Sequence, residues 1–227
     1  MRFLFVDRIV EMTPNSWVRG LKHVTRDDPY LTVDAHGRPC FISSLIGETL
    51  GQLAAWNVMH HNDFQKRPVA GIVSCARLHR PAYVGETLLL ESHIDVVDEH
   101  SVEYHSIARI GDETVFSIEG AIGPLLPMND FISSEEIQRQ FTEIYRPGDW
   151  STLSQNSQSA QDILPVGQRP TAAPMLFDRI LSCVPGETLT AEKRITRAAP
   201  YFPDHFPNKP VLPLTVLLEC KLNLAYE

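Results

Sequence analysis

Residues 45–59 read LIGETLGQLAAWNVM. The stretch is apolar nearly all round a helical repeat, so a helix from about Ser43 to His61 has no face to give to water and must be covered on every side. Helix-poor segments follow it. RPVAGIVSCARL (67–78), ETLLLESHIDVV (86–97), SVEYHSIARI (101–110) and ETVFSIEGAI (113–122) are rich in Val, Ile and Thr, and the last three are separated by turns at Asp98-Glu99-His100 and Gly111-Asp112. That pattern predicts an antiparallel meander. A long buried helix followed by a meander predicts an α+β unit in which an antiparallel sheet curls around one central helix.

The start of this unit occurs twice. At an offset of 171 residues, without gaps, Asp7-Arg8-Ile9 matches Asp178-Arg179-Ile180 and Pro14 matches Pro185. Lys22, Thr25, Arg26, Pro29 and Tyr30 match Lys193, Thr196, Arg197, Pro200 and Tyr201, and Pro39, Glu48, Leu53 and Ala54 match Pro210, Glu219, Leu224 and Ala225. These are 13 identities over positions 7–54, where ordinary composition gives about three. The chain is thus expected to hold a first copy (1–130), a short helix (131–146) opened by the capping pattern Ser133-Ser134-Glu135-Glu136, a Ser/Gln/Pro-rich linker (147–173) and a second copy (174–227). The second copy stops within the segment matching the buried helix, before any meander, and is read as truncated, with a missing C-terminal segment or a homodimer partner completing it.

Composition sets the outer limits. Of 227 residues, 43% are hydrophobic and 21% charged, which fits a globular chain. The net charge of −8 argues against nucleic acid as the main partner. Apolar runs fall short of a membrane span, and the early charges in MRFLFVDRIVEM argue against a signal peptide, so a cytoplasmic protein is expected. Cys40, Cys75, Cys183 and Cys220 are too dispersed for a disulfide framework or zinc knuckle, and His60-His61, His100 and His105 form no metal-binding spacing. No cofactor is expected.

The strongest chemical signal is residues 203–213, PDHFPNKPVLP, followed by an apolar helix that carries Glu219. The prolines stiffen the approach to the helix and hold His205 outside it. Glu219, in LTVLLEC, needs a partner or a proton if buried. An imidazole beside such a carboxyl makes an acid–base pair, while a capping histidine and a rim glutamate fit the same residues equally well.

The stretch DHFPNKPVLPLTVLLE (204–219) resembles the active-site motif of the hotdog-fold 3-hydroxyacyl-acyl-carrier-protein dehydratases of fatty acid and polyketide synthesis, whose acidic residue follows the His by 14 positions, as Glu219 follows His205. The segments FLFVDRIVEMTPN, MLFDRILSCVPGE and ARLHRPAYVGETLLLE are also similar to that family. The resemblance implies a tandem double hotdog with the second copy truncated. Two hotdogs then pair with their central helices side by side, each site taking His from one and its acid from the other. By the repeat register, His205 should face Glu48. The reciprocal site should be degenerate, with Asp34 in the His position facing Glu219 and His36 off register. The resemblance further implies that His205 takes the α-proton of a 3-hydroxyacyl thioester and Glu48 protonates the departing 3-hydroxyl. Leu214, where the family has Gly, would offer its backbone N–H to the thioester carbonyl, and Asn208 replaces a second Gly. The implied partner is acyl carrier protein bearing a phosphopantetheine-linked chain, met by Arg77, His79, Arg80, Lys209 and Arg38. The competing readings are a hotdog thioesterase or enoyl hydratase acting on a coenzyme A ester, and a non-catalytic carrier-docking scaffold.

Overall fold

The structure, a computed structural model, describes residues 3–150 and 175–225. Strands β1 (Arg8–Thr13) and β2 (Trp17–His23) form a hairpin, and β3 (Leu31–Val33) with β4 (Pro39–Phe41) a smaller one. Helix α1 spans Ser43–His61, as its apolar pattern predicts. Then come β5 (Lys66–Pro68), β6 (Ile72–Leu78), β7 (Thr87–Val97), β8 (Ser101–Ile110) and β9 (Glu113–Pro127). The sheet runs β1-β2-β7-β8-β9, with β5 and β6 sharing the far edge of β9, and every pairing is antiparallel. It is the hotdog fold: the sheet wraps α1, whose Leu45, Ile46, Leu50 and Leu53 are fully buried against Val18, Leu88, Leu90, Ala108 and Val115. The segment expected as one strand before the meander is split into β5 and β6 around residues 69–71. At that crossing a Cβ on Gly71 would lie 2.6 Å from the Ile122 carbonyl oxygen, and one on Gly123 2.5 Å from that of Val69, so both positions need glycine.

Helix α2 (Ser134–Ile144) begins as the capping pattern predicts, the Ser133 hydroxyl accepting the Glu136 N–H. It is more than a spacer. Ile137 and Phe141 turn inward, Phe141 packing on Trp56, His60 and Phe64 at the end of α1, so residues 131–146 complete the first core. The expected linker lies, from residue 151 on, outside the described residues.

The internal repeat is also a structural repeat. Strands β10 (Arg179–Val184) and β11 (Thr188–Glu192) pair residue for residue as β1 and β2 do, and the bulge between Ile9 and Glu11 recurs between Ile180 and Ser182. The left-handed turn residue Asn15 becomes Gly186, which suits a positive φ better. Asp7 accepts the His23 N–H, and Asp178 that of Arg194. Helix α3 (Leu214–Leu224) opens at the position equivalent to Ser43 and packs against α1. Between these elements the copies differ: the first forms the β3–β4 hairpin, whereas residues 202–212 form a loop. No helix among the described residues is long and apolar enough to cross a membrane.

Asn57, fully buried on α1, pins the first hairpin. Its side chain accepts the Asn15 N–H (2.8 Å) and donates to the carbonyls of Thr13 and Trp17 (2.9 Å each). Asn57→Ala leaves these backbone groups buried without it and is expected to cost about 2–3 kcal/mol, read as a lowered urea midpoint with an unchanged slope. Asp34 ties the β3–β4 turn. Against the opposing effect of burial, the Arg38 N–H and guanidinium, the Tyr83 hydroxyl and the His36 N–H hold its carboxyl down to about 2. Because the folded value lies below the unfolded one of about 3.9, the stabilisation is complete above that pH and is lost as pH falls through the folded value. Asp34→Asn should therefore lower the melting temperature at pH 7, and the gap from wild type should close between about pH 4 and pH 2.

Candidate functional site

One cavity of about 380 Å³ runs along α1. Its floor is Gly47, Gly51, Ala54 and Ala55, its walls come from β5, β6, β8 and β9 with the segment 69–71 between β5 and β6, and the Phe3 segment, α2 and the loop before α3 with the first turn of that helix border the rest. The small residues on α1 let a ligand lie close to the helix, and most of the lining is apolar. His205, Glu48 and Leu214 all border this space.

His205 is held from several sides. Its Nδ1 lies 2.9 Å from the carbonyl oxygen of Val211. A carbonyl only accepts, so Nδ1 carries the proton and Nε2 is left with its lone pair, the tautomer required of a base. The imidazole stacks on Phe206 at 4.1 Å between ring centres and meets the edge of Phe3 at 5.7 Å. The His205–Phe206 peptide bond is cis. Phe206 in turn meets Phe131 of the first unit edge-on at 5.0 Å, and the Asn208 N–H donates to the Phe131 carbonyl. Asn208 thus closes the loop onto the first unit where the family has glycine. The loop belongs to the second unit, but its seat belongs to the first.

Glu48 projects from α1 and both its oxygens are engaged. Gln52, one turn on, donates to Oε1 at 3.0 Å, and the Thr215 hydroxyl of α3 donates to Oε2 at 2.9 Å. Gln52 also donates to the Phe3 carbonyl and accepts the Phe5 N–H, while the Phe3 N–H donates to Asp204 beside His205. One hydrogen-bonded chain therefore links the two units through the N-terminal segment. The α3 N-terminus, with Pro213 as its cap and Leu214 as its first residue, opens on the same cavity, where free N–H groups and the helix dipole favour partial negative charge.

The reciprocal residues do not line this cavity. Asp34 is committed to the β3–β4 turn through Arg38 and Tyr83. Glu219 keeps one carboxyl oxygen buried without a hydrogen-bond partner among the described residues. Both charges act on the buried Cys40 thiol, which burial pushes up to about 11, so Cys40 packs and does not act as a nucleophile. Of the residues expected to meet a carrier, Arg77 is exposed and pairs with Glu119, His79 contacts Ser117, and Lys209 lies 5.2 Å from the Phe131 ring centre. Arg80 is mostly enclosed and bonded to Glu86 and Glu113, and Arg38 to Asp34 and Tyr83, so these two guanidinia serve the fold. Among the described residues no cluster of His, Cys, Asp and Glu could hold a metal ion.

Sequence reasoning passed over Thr215, Gln52, Tyr104 and Arg67. Gln52 had a signal, since it follows Glu48 by four residues on one helix. The Tyr104 hydroxyl, pushed up to about 12 by burial and by Glu48, caps the space over Gly51 from β8, and only the sheet register shows it.

A family model described as a FabA-like domain matches residues 170–225. The chain is 32% identical to the 3-hydroxyacyl-[acyl-carrier-protein] dehydratase FabZ of Caldanaerobacter subterraneus subsp. tengcongensis over 119 residues, 52% of this chain and 84% of that protein. It is likewise 32% identical to the enzyme of the same name from Verminephrobacter eiseniae over 124 residues, 52% of this chain and 81% of that one. Among solved structures, the dehydratase heterocomplex ApeI:P from Xenorhabdus doucetiae is similar with a TM-score of 0.42 and 13% identity, over 60% of this chain and 89% of that one. With 84% of a FabZ spanned at 32% identity, the chain belongs to the FabZ family of 3-hydroxyacyl-[acyl-carrier-protein] dehydratases.

Proposed function

We propose that the chain dehydrates 3-hydroxyacyl thioesters carried on acyl carrier protein to trans-2-enoyl thioesters, in fatty acid or polyketide synthesis, at one site formed by His205 and Glu48. The observation that carries this reading is that both residues border one apolar cavity although each comes from a different unit. His205 Nε2 takes the α-proton. The thioester carbonyl, polarised by the Leu214 N–H and the α3 dipole, spreads the resulting charge. The C3–oxygen bond breaks as Glu48 gives its proton to the leaving hydroxyl, so a carbon–carbon double bond and water result. The two donors on Glu48, Thr215 and Gln52, stabilise the carboxylate left behind. Asp34 opposite Glu219 offers no imidazole, so the second site is read as silent. Acyl carrier protein is read as approaching past Arg77 and Lys209.

Following enoyl absorbance with 3-hydroxybutyryl and 3-hydroxydecanoyl thioesters tests this directly. His205→Ala and Glu48→Gln should each lower kcat by about 10²–10⁴-fold, the usual contribution of an acid or base, while Glu219→Gln stays within about threefold of wild type. Activity that survives Glu48→Gln and disappears in Glu219→Gln would assign the acid to the second unit and overturn the cross-unit pair.

A further inference from the structure

Arg67, on β5, is the only Lys or Arg among the described residues lining the cavity. Its guanidinium sits close to two aromatic rings: the carbon centre is 3.9 Å from the middle of the Phe206 ring, on which His205 also stacks, and 5.6 Å from that of Phe131. Its Nε is enclosed and has no hydrogen-bond partner among the described residues. Aromatic faces attract a cation but do not accept its N–H groups in the manner of an oxygen. Glu48 draws on the charge electrostatically, yet its oxygens are engaged by Gln52 and Thr215. Burial pulls the guanidinium down to about 10, which reflects how much water it has given up. Buried donors are ordinarily satisfied, and the guanidinium whose Nε is orphaned belongs to a side chain that lines the cavity a substrate would enter.

We infer that Arg67 is a substrate-binding residue, donating hydrogen bonds to a carbonyl or hydroxyl oxygen of the bound thioester outside the reacting C1–C3 unit. The inference rests on the dehydratase reading for the identity of the ligand. Two parts of such a ligand carry that chemistry: the amide carbonyls of the pantetheine arm, and an oxygen on the acyl chain beyond C3. An acyl chain that is plain hydrocarbon beyond C3 offers Arg67 nothing.

The test compares wild type with Arg67→Met, which keeps the length and removes the donors, and Arg67→Lys, which returns the charge without the planar fork. Substrates are 3-hydroxybutyryl thioesters of pantetheine and of N-acetylcysteamine, and the 3,5-dihydroxyhexanoyl thioester of pantetheine. Arg67→Met should raise KM by about tenfold or more with kcat little changed, as loss of a charged hydrogen bond implies, and Arg67→Lys should recover part of it. A penalty on both pantetheine esters assigns the oxygen to the arm, to its inner amide when the N-acetylcysteamine ester, which keeps that amide, shares the penalty and to its outer amide when it does not; one confined to the dihydroxy chain assigns it to the acyl group. An unchanged KM with every substrate, or an equal fall in kcat alone, overturns the inference, the latter because it makes Arg67 a support for His205 through Phe206. Should wild type itself show no turnover, the dehydratase reading fails separately. Equilibrium binding of butyryl pantetheine and of 3,5-dihydroxyhexanoyl pantetheine then decides Arg67: weaker binding of either to Arg67→Met supports the inference, and equal affinity for both refutes it.

Discussion

Helix α1 has no polar face, and the architecture follows from that constraint. Burying an all-round apolar helix requires cover on every side. The curled sheet supplies most of it, α2 closes the C-terminal end through Phe141, and α3 packs alongside what remains. A second unit is thereby drawn against the first, and the loop ahead of α3 arrives at the cavity to which α1 presents its acidic side chain, Glu48. The same packing that buries the core thus brings the His205 loop and Glu48 to one cavity.

The polar groups at this junction lie among apolar neighbours, which makes their partners decisive. An unsatisfied buried donor or acceptor costs far more than a satisfied one contributes. Glu48, Gln52, Thr215, the Phe3 backbone and Asp204 satisfy one another in sequence, so the geometry around the cavity is held by several bonds at once. Tyr30, Ser44, His60, Arg67 and Glu219 depart from this economy: each buries an atom with no partner among the described residues. Of these, Ser44 and Arg67 line the cavity.

Period and repeat are what a sequence displays openly, and they made most of the fold legible. The bounds of α1 follow from its apolar pattern, the meander from alternation and two turns, and the equivalence of β1–β2 with β10–β11 from 13 identities in an ungapped register. That His205 and Glu48 come to border one cavity was legible through the motif and the register together. The split between β5 and β6 was not, because it depends on how closely Gly71 and Gly123 let two backbones cross. Nor was the role of Arg80, whose partners Glu86 and Glu113 come from a turn and a neighbouring strand. Arg67 left no trace in the local pattern, since an Arg before a Pro reads as an ordinary strand edge until the Phe206 ring is seen lying against it.

The β3–β4 hairpin occupies in the first unit the place that the His205 loop occupies in the second. In an assembly of two identical subunits, any mutation at that position enters both copies at once. Because one chain carries both copies, a change in one leaves the other as it was: Asp34 ties its turn in the first unit through Arg38 and Tyr83 without touching the loop that holds His205 in the second.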